Sequence, residues 1–336
     1  MKKSKYLFLL LVPFMLGGLT SCGTDSDFTV GILQIETHSA LDAAKEGFKE
    51  ALLNSESLKG KKITFIEKNN EGVASDGATM AKSLAAKCDL LLGISTPSAV
   101  SLKNALDEAG KDTPLLFTAV TDPVSAELVK QMEKPGGNVS GTSDDNPVET
   151  QIDLVKKCFE DKEAKDIKLG ILYTSSEINS EVQANRAEAE AKAQGFSASN
   201  IERATCTDSS DIKTVANNLA SKVDAIYIPT DNNIAAHMDN IKSATDENHT
   251  LCIVGEENML ASGGHLTYSV SYSLLGKRTG EMGAMVLSKE RAIGDIDVEK
   301  MLDEAYLSKV YNSKNISDSN VKVPQTLIAD FVDVSK

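Results

Sequence analysis

Two hexapeptides, Val30-Gly-Ile-Leu-Gln-Ile35 and Leu169-Gly-Ile-Leu-Tyr-Thr174, open two series of the same kind, and that echo restricts the chain to few architectures. After each, short runs rich in Ile, Val and Leu alternate with longer amphipathic stretches, the pattern of βαβ units and parallel sheets. The runs lack polar alternation, as strands covered on both faces require. The first series places strands near 30–35, 63–67, 90–95, 115–120 and 139–142. The second places them near 169–174, 199–204, 225–229, 251–255 and 266–270. An α/β fold of two similar lobes is expected, each a parallel sheet with helices on both faces. Crossings near 143–146 and 269–272 return a long helix over 274–288 to the first lobe. This gives a first lobe of 28–143 plus 272–295 and a second of 144–271 plus 296–336.

Ahead of the first strand, Lys2, Lys3 and Lys5 precede an apolar run from Tyr6 to Leu16, and Leu19-Thr20-Ser21-Cys22 follows. A charged start, a short hydrophobic core and small residues before a cysteine form a secretory signal ending in a lipobox. The reading is a leader over 1–21, lipidation of Cys22 and a tether over 22–27. The mature chain then works outside the cytoplasm, anchored to the membrane by lipid. The net charge of −14 becomes more negative once three leader lysines are gone, which excludes nucleic acid and polybasic membrane docking. The remaining cysteines, Cys88, Cys158, Cys206 and Cys252, form no CxxC and have no histidine nearby, so no metal is expected. They read mainly as small core residues, with one structural disulfide left open.

No GxSxG, HExxH, GxGxxG or GxxxxGK[ST] occurs and the four histidines do not cluster, so neither an enzyme nor a cofactor is expected. A hydrolase using Ser95 or Ser98 with His38 would lack a nucleophile elbow. Binding is better supplied. His38 directly follows the first strand, where open α/β sheets hold ligands at their carboxyl ends. Thr96-Pro97, Asp122-Pro123 and Asn146-Pro147 follow three strands, and a capping residue before proline starts helices whose free N–H groups attract anions. Ser95, Thr96, Ser98 and Thr118 add hydroxyls at the same edge. The second lobe offers Asp231 and Glu256 at its strand ends, with Glu257 read as solvated. Donors on one lobe facing carboxylates on the other describe a cleft for a zwitterion, an amino acid with its carboxylate on the first lobe.

Several stretches carry a family likeness: Val30-Gly-Ile-Leu-Gln-Ile35 with His38-Ser-Ala-Leu-Asp42, Ile94-Ser-Thr-Pro97, Phe117-Thr-Ala-Val-Thr-Asp-Pro-Val124, Gly141-Thr-Ser-Asp144, Tyr227-Ile-Pro-Thr-Asp-Asn232 and Leu275-Gly276. Spread over nearly the whole mature chain, they resemble the lipid-anchored substrate-binding proteins of a group of ABC importers, whose known members include tryptophan binders. The resemblance implies a type I periplasmic-binding fold and ligand contacts from His38, Thr96, Ser98, Thr118, Ala119, Tyr173, Asp231 and Glu256. It implies capture of an aromatic amino acid by a monomer and delivery to an ABC permease with its ATPase. Two departures stand out: Ser269 and Ser271 replace a common glycine and acid, and Tyr173-Thr-Ser-Ser176 replaces asparagine and proline. A sensor of the same fold, or an importer component for a sugar or nucleoside, are the other readings.

Overall fold

The computed structural model describes residues 26–336; the leader and Cys22 lie outside them. The first parallel sheet has six strands, of which the chain lays down five in succession: β1 (Phe28–Gln34), β2 (Ile63–Asn69), β3 (Leu90–Ile94), β4 (Leu115–Thr118) and β5 (Val139–Ser143). Helices α1 (Ser39–Leu53), α2 (Ala74–Ala85) and α3 (Thr96–Ala109) connect the first four of them, while an irregular segment joins β4 to β5. The chain then crosses into α4 (Val148–Cys158), β6 (Leu169–Thr174), α5 (Ile178–Ala193), β7 (Ile201–Cys206), α6 (Ile212–Ala220), β8 (Ala225–Ile228), α7 (Asn232–Ala236), α8 (Met238–Asn248), β9 (Leu251–Val254), α9 (Met259–Ser262) and β10 (Leu266–Val270). It returns through α10 (Tyr272–Leu287) and β11 (Glu299–Lys300), and ends in β12 (Leu307–Tyr311), α11 (Ser313–Asp318) and β13 (Val332–Asp333).

The sheet orders are β11-β5-β4-β3-β1-β2 and β13-β12-β10-β9-β8-β6-β7. Pairing is parallel except between β10 and β12. Buried aliphatic residues cover both faces of each sheet, which is why the strands read as unbroken apolar runs. Helix α10 completes the first lobe by lying on α1, with glycines at the contact. A Cβ on Gly276 would collide with the Ala44 carbonyl oxygen, and one on Gly280 with that of Phe48.

Two expectations change. Residues 296–300 belong to the first lobe, because Glu299 and Lys300 pair with Thr142 and Ser143 of β5. Val298 and Met301 are buried in the same lobe's cores. The last crossing therefore falls between Lys300 and Leu307. Nor does Asp122-Pro123 start a helix: the Asp122 carboxylate accepts from the backbone N–H of Val124 (3.1 Å) and Ser125 (2.9 Å), closing an isolated turn. The four described cysteines are free and buried. Among the described residues no helix is long and apolar enough to cross a membrane, and no group of His, Cys, Asp and Glu could hold a metal.

Candidate ligand crevice between the lobes

In each sheet the strand order reverses once beside the first strand of its series, between β1 and β3 and between β6 and β8. Connections leave such a point in opposite directions and open a crevice at the strands' carboxyl ends. The first switch point presents His38 after β1 and Ser95 and Thr96 after β3. The second presents Glu177 and Asn179 after β6 and Thr230 and Asp231 after β8. The two face each other across a narrow crevice lined by residues of both lobes, including His38, Ala119, Asp144, Asp231, Glu256 and Tyr272. Only about 10 Å3 of it is free, far below the roughly 300–1,000 Å3 of typical ligand pockets and about the room one water needs, so the lobes are drawn together. Direct contacts fix them: Gln183 of α5 donates to the Thr121 hydroxyl (3.3 Å) and to Thr230, and the two threonine hydroxyls lie 3.4 Å apart.

Buried polar atoms without a partner concentrate here: both ring nitrogens of His38, Oδ1 of Asn179 and Oε1 of Glu256. Buried polar groups are overwhelmingly hydrogen-bonded, so a cluster of exceptions around one crevice marks a place for a ligand. A wider hollow on the outer face of the first lobe, beside Lys103, Leu128 and Val139, gathers no such atoms and opens to solvent.

Burial governs the charges. His38 at the start of α1 is lowered to about 4, because little compensates the desolvation of a cation there; Asn232 is near the ring but leaves both nitrogens unpaired. Its imidazole is neutral at physiological pH. Glu256 is raised to about 7 by burial, with its other oxygen accepting from the Asn258 backbone at 2.6 Å. Asp144 is raised to about 6 for the same reason, although Tyr272 (2.5 Å) and Thr121 (3.0 Å) donate to it. Asp231 is also shifted upward by burial, and its carboxylate accepts from Thr174 N (2.6 Å), Thr174 Oγ1 (2.9 Å) and Ile234 N (2.9 Å), the last as the cap of α7. Three donors leave about one of a carboxylate's four lone-pair sites for anything else.

Of the residues read from the sequence, His38, Ala119, Asp231 and Glu256 line the crevice, and Ser95, Thr96, Ser98, Thr118 and Tyr173 do not. Thr118 points inward, in a hydroxyl chain through Thr142 (3.1 Å) to Thr279 (2.8 Å) under α10. Tyr173 packs under α5, where Arg203 of the neighbouring strand β7 lies over the ring and donates to its hydroxyl at 2.5 Å. Ser95, Thr96 and Ser98 form the buried start of α3 one strand away. Ser95 holds φ +90°, its hydroxyl donates to Ser98 (3.2 Å), and Thr96 Oγ1 is buried without a partner. Ala119, at φ +55°, links that corner to the crevice, since Ser95 N donates to the Thr118 carbonyl at 3.1 Å. Backbone strain of this kind gathers at functional sites. Sequence reasoning missed Thr121, Asp144, Asn179 and Glu177. Asp144 was within the quoted Gly141-Thr-Ser-Asp144 stretch, but as part of a crossing. Glu177, raised to about 7 by burial, accepts from the Asn232 backbone at 3.2 Å and the Asn233 backbone at 3.0 Å at the start of α7.

Two lobes of parallel sheet joined by three crossings, their switch points facing one polar crevice, define a two-lobed solute-binding protein of the type I periplasmic class. The model of the ABC transporter substrate binding protein family matches residues 29–334, and the chain belongs to that family. It is 35% identical, over 96% of each chain, to the tyrosine-binding protein of Clostridioides difficile (strain R20291). A Streptococcus pneumonia ABC domain in complex with L-Trp superposes with a TM-score of 0.78 at 32% identity, covering 90% of this chain and 99% of that one. The ligand-free, open structure of a substrate binding protein with adhesive properties from Clostridium difficile gives 0.65, also at 32% identity, covering 91% and 99%. At equal identity the fit to the open structure is the poorer of the two, in keeping with lobes that touch through Gln183, Thr121 and Thr230. Membership makes the chain the solute-binding part of an ABC transporter, with a small-molecule ligand and a permease partner, and not an enzyme.

Proposed function

We propose that the chain captures an aromatic amino acid between its lobes, outside the cytoplasm, and hands it to the permease as a lipid-anchored monomer held through Cys22. The observation that carries this reading is the set of buried unpaired polar atoms contributed by both lobes to one crevice, His38, Asn179 and Glu256. The Glu256 carboxylate suits the ammonium. The Thr96 hydroxyl at the start of α3, buried without a partner and joined to the Ala119 corner of the crevice through the Ser95–Thr118 hydrogen bond, suits the carboxylate. Leu41, Ala235 and Met259 give the crevice apolar wall for a ring. The tyrosine and tryptophan named for the two relatives support an aromatic side chain.

A thermal-shift panel of amino acids, sugars and nucleosides tests it, on protein freed of bound solute by unfolding and refolding. Ligand at 100 times its dissociation constant stabilises by about 2.7 kcal/mol. Stabilisation by tyrosine, tryptophan or phenylalanine is expected. Response to sugars or nucleosides alone would overturn the amino-acid reading. For the anchor, Cys22→Ala should appear in the soluble fraction, and membrane retention of that variant would refute lipidation there.

A further inference from the structure

Beside the crevice lies a second cavity, of about 320 Å3, built by both lobes. The irregular segment after β4 supplies Pro123, Val124 and Met132, and α5 supplies Val182 and Gln183. Thr121 lines both spaces, so the two adjoin. The crevice has room for about one water, whereas this cavity reaches the size of a ligand pocket. Its wall includes a residue with one more buried atom that has no partner, Oε1 of Gln183. That side chain is 1% exposed, and its nitrogen is fully engaged: Nε2 donates to the Asn179 carbonyl (3.2 Å), to the Thr121 hydroxyl (3.3 Å) and to Thr230. A carbonyl can only accept, so the Asn179 contact fixes which end of the amide is nitrogen and leaves the oxygen as the end without a donor. Charge is already balanced around the cavity. Arg186 and Lys300 meet on Asp145 at 2.6 Å each, and the Asp122 carboxylate is held by the backbone N–H groups of Val124 and Ser125. The occupant that fits is uncharged, apolar along its length and a hydrogen-bond donor at one point.

We propose that this cavity is the side-chain subsite of the solute, and that Gln183 selects side chains whose far end carries an O–H or N–H donor. This rests on the amino-acid reading above and narrows it from aromatic rings in general to rings with a donor, the phenol of tyrosine or the indole of tryptophan. The solute's backbone groups stay in the crevice, its ring passes Thr121 into the space walled by Pro123, Val124, Met132 and Val182, and the donor at its far end meets Gln183 Oε1. Phenylalanine fills the same wall and leaves that oxygen unmet. A buried acceptor without a donor costs the full desolvation of the group, and a site built to bond a hydroxyl discriminates strongly against the analogue that lacks it. Gln183 also donates to Thr121 across the lobes, so the residue that reads the side chain is part of the contact made on closure.

Titration calorimetry of the purified full chain compares tyrosine with phenylalanine, and tryptophan with its indole-N-methyl derivative. In at least one pair the donor-bearing member should bind at least about tenfold more tightly. In Gln183→Leu that ratio should fall to near one, whatever the variant does to affinity as a whole, because loss of the Nε2 contacts weakens both members alike. Val182→Trp, placed on the partly exposed flank of α5, should fill the cavity and weaken tyrosine and tryptophan by at least about tenfold, with the solute-free melting temperature unchanged. A smaller gap in both wild-type pairs overturns the assignment, as does a ratio that survives in Gln183→Leu or unchanged binding in Val182→Trp. Should Gln183→Leu not fold, the wild-type pairs and Val182→Trp decide. Binding of phenylalanine as tight as that of tyrosine overturns the subsite and leaves the amino-acid reading standing, whereas binding of no amino acid overturns both.

Discussion

At the scale of single residues, the site is decided by what each polar side chain has already been given. Asp231 has three donors from its own lobe, Thr118 and Tyr173 have partners turned away from the crevice, and His38 and Glu256 have atoms with none. His38 is the sharper case. With desolvation lowering it to about 4 from an ordinary 6.5, it stays neutral through the physiological range and serves as a hydrogen-bonding group without charge. The sign follows from burial: the neutral form is favoured, so the ring protonates only in acid. Its imidazole resonances should titrate near pH 4, and a midpoint near 6.5 would show the ring to be solvated. His38→Ala should weaken amino-acid binding by about 1 kcal/mol without altering the fold. Because the ring does not change charge between pH 5 and 8, any pH dependence of capture in that range belongs to the acids.

At the scale of elements, the closest fit in the first lobe is between α1 and α10. The glycines of α10 let its backbone lie directly on Ala44 and Phe48 of α1, and burying the α10 face completes the core beneath β1, β3 and β4. Gly276→Ala should destabilise the protein by about 1–3 kcal/mol, because the added methyl meets a backbone carbonyl that cannot rotate aside. Urea unfolding measures this, and an unchanged midpoint would mean that the helices separate at no cost. Strands such as 90–94 and 251–254 were legible because a buried parallel strand announces itself as an apolar run. The two-residue β11 was not, since Glu299 and Lys300 carry no periodicity and are held only by register against Thr142 and Ser143. The site divides in the same way. Strand order puts residues at a sheet's carboxyl edge, and that much is visible in sequence for His38 and Glu256. Which way a side chain turns depends on partners far along the chain, such as Arg203 for Tyr173 or Tyr272 for Asp144.

At the scale of the whole molecule, three crossings join the lobes, and Asp145 and Asn146 are where they are tied. Asp145 follows the first crossing strand, receives Lys300 from the start of the third crossing and Arg186 from α5 of the second lobe, both at 2.6 Å. Asn146 secures the second crossing by accepting from Val270 N at 2.8 Å. Removing the Asp145 carboxylate leaves Arg186 on Glu149 and frees Lys300, so two cations face each other at the mouth with nothing between them. Like charges there repel most when the lobes are closed, and Asp145→Ala should shift the equilibrium toward the open form. Partly exposed pairs contribute modestly, so the expected loss of solute affinity is within about 1 kcal/mol. It has a distinguishing sign. A purely steric role would be indifferent to salt, whereas repulsion between Arg186 and Lys300 is screened, so raising ionic strength from about 0.01 to about 1 M should restore most of the lost affinity. Titration calorimetry of the variant at the two salt concentrations reads this directly, and an affinity loss that persists at high salt would mean that Asp145 shapes the crossing and does not balance its charge.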